Sequence, residues 1–224
     1  MNLLAIESAT EFCSVALSLG GRVIDRCQHA PREHAGLLIP WTRELLADAG
    51  IGYAALDGIA VTRGPGGFTS LRIGLGVAQG LALAHDLPLY PVSTLAVCAW
   101  AGREHGDRLL VALDARMGEV YAAGYRYDGT QLHAGLAEQV VAPDRISQPP
   151  AGSWQGLGSG FGVHAAVLEA RLGPCLAGVH PLVHPNARAL LALAGQASPQ
   201  PAADLVPVYL RDRVADPAAE AVGR

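Results

Sequence analysis

The stretch best suited to holding a ligand is Gly64-Pro-Gly-Gly-Phe-Thr-Ser70. A glycine-rich turn that enters a helix presents backbone amides to an anion, and the helix dipole adds to the attraction. Nucleotide-binding turns built on that principle carry Gly-Lys-Ser/Thr or Gly-x-Gly-x-x-Gly, and this loop has neither. A turn that aims the following helix is the reading its residues favour. All 16 basic residues are arginines, so a phosphate-loop lysine, a Schiff-base lysine and a lysine base are all excluded.

His29 and His34 flank the first helical pattern, and His180 and His184 lie four apart, a spacing that puts two ligands on one helix face. Pro181 and Pro185 follow the latter pair directly and disfavour a helix, and no glutamate sits between them as a zinc hydrolase would require. No metal site is expected. Ser8, Ser14 and Ser93 lack the strand-to-helix elbow of a nucleophilic serine. Glu7 and Asp114 are better placed, each closing the first strand of one half of the chain, where α/β folds gather ligands. On residue type alone, a turn or capping role suits both.

The elements that position these residues follow from periodicity. Leu3 to Ile6, then Cys13 to Leu19, Gly20-Gly21 and Arg22 to Cys27, read as a strand followed by a tight hairpin. Leu37, Leu38, Trp41, Leu45 and Ala49 have helical spacing, and Gly50 stops that helix. Gly58 to Thr62 is a fourth strand, and a long helix capped by Thr69 or Ser70 runs to His85. Leu87 to Val92 is a fifth strand, and a helix spans 94–104. After the polar turn at 103–108 the pattern restarts: strands at Leu109 to Leu113, Glu119 to Tyr127, Leu132 to Val141 and Trp154 to Leu157, then helices at Val163 to Leu172 and Asn186 to Ala197. The expectation is two α/β lobes of duplicated βββαβα order with mixed sheets and a cleft between them, divided as 1–104 and 105–224, the tail packing back on the first lobe.

Composition sets the class. The chain has 224 residues, 50% hydrophobic and 16% charged, enough for a substantial core. Glu7 and Glu11 interrupt the opening apolar run, so no signal peptide is expected; Leu71 to Ala84 contains Arg72 and Gln79 and is too short to span a membrane. Cys13, Cys27, Cys98 and Cys175 are scattered, as reduced thiols of a cytoplasmic protein would be. A net charge of −4, with arginines spread singly from Arg22 to Arg213, argues against an extended nucleic-acid surface.

Several segments together resemble the TsaB family: Leu4-Ala-Ile-Glu-Ser-Ala-Thr10 with Cys13 to Leu17, Glu33 to Pro40, Gly64 to Gly74, Ala112 to Tyr121 and Pro207 to Arg211. The resemblance implies an actin-like, ribonuclease H-like (ASKHA) fold shared with sugar kinases and Hsp70. It also implies a pseudo-enzyme: a non-catalytic subunit supporting a TsaD-type catalytic subunit that forms N6-threonylcarbamoyladenosine at position 37 of tRNA, with a TsaE-type ATPase, and meeting tRNA only through the complex. Alone, it would be either a monomer or a homodimer formed through the face that otherwise meets the partner. The superfamily's first phosphate turn carries Asp and Gly, where this chain has Glu7-Ser-Ala-Thr10; its second keeps Asp114 but inserts Arg116. A longer carboxylate and a lost glycine crowd a phosphate. Glu7, Thr10, Asp114 and Gly158 are thus the residues through which nucleotide would be held, with ATP or ADP expected only within the complex. An ATP-dependent small-molecule kinase of the same fold is the alternative, and it would need intact phosphate turns.

The long helix supplies the expected partner face. At 100° per residue, Ile73, Gly74, Val77, Leu81 and Ala84 share one side, assigned to the core. The other side carries Arg72, Leu75, Gly76, Gln79 and Leu83, too apolar for a solvent face. With Leu38, Trp41 and Leu45 of the first helix, these residues are expected to meet the partner, and the resemblance implies a bundle of two helices from each subunit.

Overall fold

The computed structural model describes residues 1–211, so Arg213 and the rest of 212–224 lie outside the described residues. Strands β1 (Leu3–Glu7), β2 (Phe12–Leu19) and β3 (Arg22–His29) form an antiparallel meander, turned at Gly20 and Gly21, both at positive φ. Helix α1 (His34–Asp48) ends at Gly50, φ 70°, and leads to β4 (Gly58–Thr62), α2 (Phe68–His85), β5 (Leu89–Val92) and α3 (Thr94–Ala101). Because β4 pairs parallel with β1, and β5 parallel with β4, the sheet order is β3-β2-β1-β4-β5.

The second half repeats the plan. Strands β6 (Arg108–Asp114), β7 (Val120–Tyr127) and β8 (Leu132–Val141) run antiparallel. Strands β9 (Trp154–Leu157) and β10 (Leu176–His180) add parallel on the other side of β6, giving β10-β9-β6-β7-β8. Between them lie α4 (Gly160–Val163) and α5 (Ala165–Leu172), and α6 (Ala187–Ala194) follows. The fold is therefore α/β with two lobes of the same strand order, an actin-like, ribonuclease H-like arrangement.

Three details differ from expectation. The first lobe has α1 between its third and fourth strands, whereas the second has only a 3-10 turn at Pro143–Arg145, since Pro143, Pro149 and Pro150 bar a helix. Strand β10 went unassigned because Gly178 weakens its pattern and β10 is an edge strand only five residues long. Helix α2 starts at Phe68 with Gly67 as N-cap; Ser70 lies inside it, and its hydroxyl donates to the Gly67 carbonyl at 3.3 Å.

Strand alternation explains the layers. Leu4, Ile6, Val15, Leu17, Ile59 and Val61 pack under α1 and α2, while Leu3, Ala5, Ala16 and Ala60 face the opposite way, toward α3 and α6. In the second sheet Leu109, Val111 and Ala123 face α3, while Leu110, Ala112 and Ala122 face α4 and α5. Helix α3 thus lies between the sheets, and its N-cap Ser93 bonds Glu138 of β8, which also accepts from Tyr125 at 3.1 Å.

The two sheets divide near residue 105, but the packing does not. Helix α6 belongs to the second half of the chain yet buries Ala187, Leu190, Leu193 and Ala194 on the first sheet. Its start is fixed by Asn186, whose carbonyl accepts from the Ala189 amide at 2.9 Å, and by Ser14 of β2, which accepts from the Ala187 amide at 3.1 Å. Beyond it, residues 200–211 form a strap across both lobes. Gln200 pairs with Leu89, Ala202 and Leu205 enter the first-lobe core, the Val208 amide donates to Arg63, and Arg211 reaches Glu119 and the Ala115 carbonyl in the second lobe.

Candidate functional site

The two turns that follow β1 and β6 lie at the carboxyl ends of the central strands, where α/β folds gather ligands. In the first, Glu7 is fully buried, and its Oε1 accepts from the Ala9 amide at 2.8 Å and the Thr62 hydroxyl at 3.2 Å. Oε2 has no partner. Burial pushes the carboxyl up to about 8 against the pull of those two bonds, so Glu7 is largely a neutral acid at neutral pH. The Thr10 hydroxyl accepts from the Phe12 amide at 3.3 Å. Amides that could face a phosphate are thus spent on the turn's own side chains.

The glycine-rich loop lies against this turn. The Gly67 amide donates to the Ala9 carbonyl at 2.8 Å and the Ser8 hydroxyl to the Ser70 carbonyl at 2.8 Å. A Cβ on Gly66 would run into Ala9, one on Gly74 into Ser8, and one on Gly64 would sit 2.7 Å from the Val208 carbonyl. These glycines let α2 and its loop approach the first turn, the structural role the residues favoured. His34 is buried, and its Nε2 donates to the Thr10 and Phe12 carbonyls, 3.0 and 3.2 Å away, tying α1 to the same turn.

The second turn is equally self-contained. Asp114 Oδ1 accepts from the Arg116 amide at 3.1 Å, the Ala115 amide donates to the Glu119 carbonyl, and the Glu119 amide to the Arg116 carbonyl. Asp114 also meets Arg116 Nη1 at 3.3 Å and His164 Nε2 at 3.5 Å. Ser159 accepts from the Asp114 amide at 3.1 Å. Gly158, φ 103°, is needed because a Cβ there would lie 2.7 Å from the Ala112 carbonyl. Arg116 also reaches across the cleft to Glu11, whose carboxyl is held below its ordinary range first by a hydrogen bond with His29 and then by Arg116. Of the four nucleotide candidates, Glu7 is therefore sealed behind its turn and Gly158 is taken up in packing. Thr10 caps its own loop, and Asp114 is taken by Arg116, while His164 Nε2, 3.5 Å from it, makes no hydrogen bond among the described residues. The Glu11–Arg116 pair across the cleft was not visible in sequence, since 105 positions separate its members.

Arg116 and Met117 have φ of 61° and 53° at the hairpin centre, where Asn-Gly is the unstrained choice. A left-handed non-glycine residue costs on the order of 1 kcal/mol. Met117→Gly is expected to raise stability by up to about 1 kcal/mol in urea denaturation; a loss of that size would show that the 3.3 Å contact of Met117 Sδ with Arg211 outweighs the strain.

The expected partner face needs correction. Leu38 and Leu45 are 0% exposed and Leu75 4%, all within the first-lobe core, and α2 faces inward through Leu71, Gly74, Leu75, Ala78 and Ala82. The Gln79 amide nitrogen donates to the Ala202 and Leu205 carbonyls at 3.0 and 3.1 Å, so the strap takes it. Trp41 is half-buried; Arg72, Gly76 and Leu83 are exposed. Ile73 and Val77, assigned to the core, are half-buried and pack at its margin, between it and the outward side, where Gly76, Gly80 and Ala84 are exposed and a Cβ on either glycine would meet nothing within 4 Å. The phase was misread because α2 is apolar all round and its pattern gives little contrast.

His180 and His184 are not on a helix. His180 stacks on His105, and His184 on Phe12 with ring centroids 3.7 Å apart, beside an open groove of about 490 Å³. Among the described residues no three His, Cys, Asp or Glu side chains converge in a way that could hold a metal, and no helix is long and apolar enough to cross a membrane.

Residues 27–162 match the family model TsaD, tRNA N6-adenosine threonylcarbamoyltransferase. The chain is 42% identical over 167 residues to the tRNA threonylcarbamoyladenosine biosynthesis protein TsaB of Escherichia coli, covering 72% of each chain. It is 34% identical over 229 residues to TsaB of Haemophilus influenzae, covering 96% of this chain and 95% of that one. Among solved structures it is similar to YeaZ from Pseudomonas aeruginosa, with a TM-score of 0.86 and 38% identity over 93% of this chain and 99% of that one.

Proposed function

The chain belongs to the TsaB family, and from that premise we propose that it is a non-catalytic partner subunit in the biosynthesis of threonylcarbamoyladenosine in tRNA, supporting a TsaD-type catalytic chain. The observation that carries this reading is that both phosphate-turn positions are occupied from within: Glu7 takes the Ala9 amide, Asp114 takes the Arg116 amide, and Arg116 crosses the cleft to Glu11. A kinase of this fold needs those amides for the nucleotide and a free carboxylate as base, which disfavours the kinase alternative. ATP or ADP would bind only where the partner reshapes the site.

The partner would rest on the outward face of α2, formed by exposed Gly76, Gly80 and Ala84 and edged by half-buried Ile73 and Val77, which carries no charge and whose glycines admit a second helix at short range. Arg72, Leu83 and Trp41 border it. The same face would serve a homodimer in isolation, and contact with a TsaE-type ATPase or with tRNA would come through the assembled complex.

Mixing the purified protein with the TsaD-type chain, with light scattering as readout, is expected to give a stable heteromer, and Gly76→Glu should abolish it without lowering Tm. The protein alone should neither turn over ATP nor modify tRNA. Single-turnover ATP hydrolysis by the isolated chain, lost on Asp114→Ala, would overturn the non-catalytic reading.

A further inference from the structure

Beside the outward face, α2 has a flank on which Phe68, Arg72, Gln79 and Leu83 fall within roughly 60° of one another. The strap lies along this flank, held by the two hydrogen bonds from Gln79. Past them, Tyr209 comes to Phe68 with ring centroids 6.4 Å apart and planes 28° from parallel. The Arg72 guanidinium lies 3.2 Å from the Phe68 centroid and 4.9 Å from that of Tyr209. Both rings remain in solvent, 50% and 45% exposed, and Leu83 (71%), Val206 (65%) and Met117 (59%) are exposed as well. Five of the chain's exposed large apolar side chains are thus carried by α2, the strap and the strained turn that the strap contacts. Single exposed apolar residues are ordinary, but a continuous run of them marks a contact surface.

We propose that this strip, Phe68–Arg72–Tyr209 with Val206 and Met117, is a second part of the docking surface, and that it receives from the TsaD-type chain an apolar patch flanked by carboxylates. The inference rests on the reading that α2 faces that chain. Three observations fix the chemistry of the occupant. Aromatic, Met and Arg side chains together are the composition of protein interface centres, and Val206 and Leu83 offer nothing to a phosphate backbone. At the ring pair the charge is cationic: the Arg72 guanidinium lies over the Phe68 ring and near that of Tyr209, and Arg63 is exposed where the Val208 amide meets the loop, while Asp204 is the exposed carboxylate of the strap. The carboxylate that meets the strap, Glu119, is already paired with Arg211. Finally, Met117 is presented from a left-handed conformation that glycine would hold without strain, and the strip is continuous with the outward face through Arg72, one turn before Gly76.

The test is calorimetric titration of the TsaD-type chain into wild type, Phe68→Ala/Tyr209→Ala, Val206→Asp, Arg72→Ala, Arg72→Glu and Gly76→Glu, with Tm measured for each. Because the altered side chains are solvent-exposed, Tm should stay near wild type. The ring variant and Val206→Asp, which leaves the ring stack intact, should each weaken binding by about tenfold or more, and Arg72→Glu by more than Arg72→Ala. Unchanged affinity in the ring variant and Val206→Asp, with binding lost in Gly76→Glu, would overturn the strip and leave the helix face standing. Weakened binding in the strip variants with Gly76→Glu unaffected would keep the strip and overturn the helix face. If the strip variants bind the protein normally but the assembled complex retains less tRNA, the strip is a nucleic-acid contact and the proposal fails.

Discussion

Glu7→Gln is expected to stabilise the fold by about 4 kcal/mol at pH 8 and to change it little at pH 4. The group's pKa in the fold is raised to about 8 from 4.5, and burial is the largest cause. The folded state therefore holds a proton that the unfolded chain releases. Its contribution to stability is fully present below pH 4.5 and is lost as pH rises from 4.5 to 8, at about 1.4 kcal/mol per pH unit. The glutamine oxygen can take over the bonds from Ala9 and Thr62, and its NH2 stands where the protonated oxygen stood, so the variant mimics the acid at every pH. Cys13, Cys27 and Cys98 are the thiols that sense Glu7; burial is the largest cause raising all three, Cys13 to about 12, so none titrates in this window. Urea denaturation from pH 4 to 8.5 should give wild type a falling stability that the variant lacks. Equal slopes for the two proteins would show that Glu7 is ionised in the fold.

That acid also marks how far the sequence could be read. Leu3 to Ile6, the Gly20-Gly21 hairpin, the stop at Gly50 and the strand pattern of the second half up to β9 are local signals, and those strands formed where alternation placed them; β10 left no such signal. The position of Glu7 at a strand end was legible, but its burial was not, because that depends on Thr62 from β4 and on the loop that Gly66 lets in against Ala9. The glycine-rich stretch was legible as a turn, yet the reason for each glycine is a contact with residues some sixty positions earlier or, for Gly64, with the strap. Long-range pairings such as Glu11–Arg116, Ser93–Glu138 and Gln79 with the strap leave no local trace. The return of α6 to the first sheet is of the same kind: its apolar spacing announces a buried face and says nothing about which sheet covers it.

Leu75→Glu is expected to unfold the first lobe, whereas Gly76→Glu, one residue on, should leave Tm near that of wild type. The two positions differ by 100° around α2. Leu75 is 4% exposed and packs with Leu71, Ala78 and the first sheet, so a glutamate there loses a buried leucine and buries a charge with no cation to meet it. Those losses together exceed about 4 kcal/mol, comparable with the whole stability of a small lobe. A side chain on Gly76 enters open space, and the cost there is confined to whatever docks on the face. Apolar periodicity alone put Leu75 outward and Val77 inward, because Ile73, Val77 and Leu81 form one apolar stripe, within about 80° of one another, and Leu71, Leu75, Ala78 and Ala82 form another, within about 60°. Gly74, which lies against Ser8, borders both stripes and belongs to either phase; what separates them is that Leu71, Leu75, Ala78 and Ala82 are buried on the first sheet, while Ile73, Val77 and Leu81 are half-buried at its margin. Thermal melts of the two variants decide between the phases: a folded Leu75→Glu protein with an unfolded Gly76→Glu one would reverse the orientation of α2, and with it the face assigned to the partner.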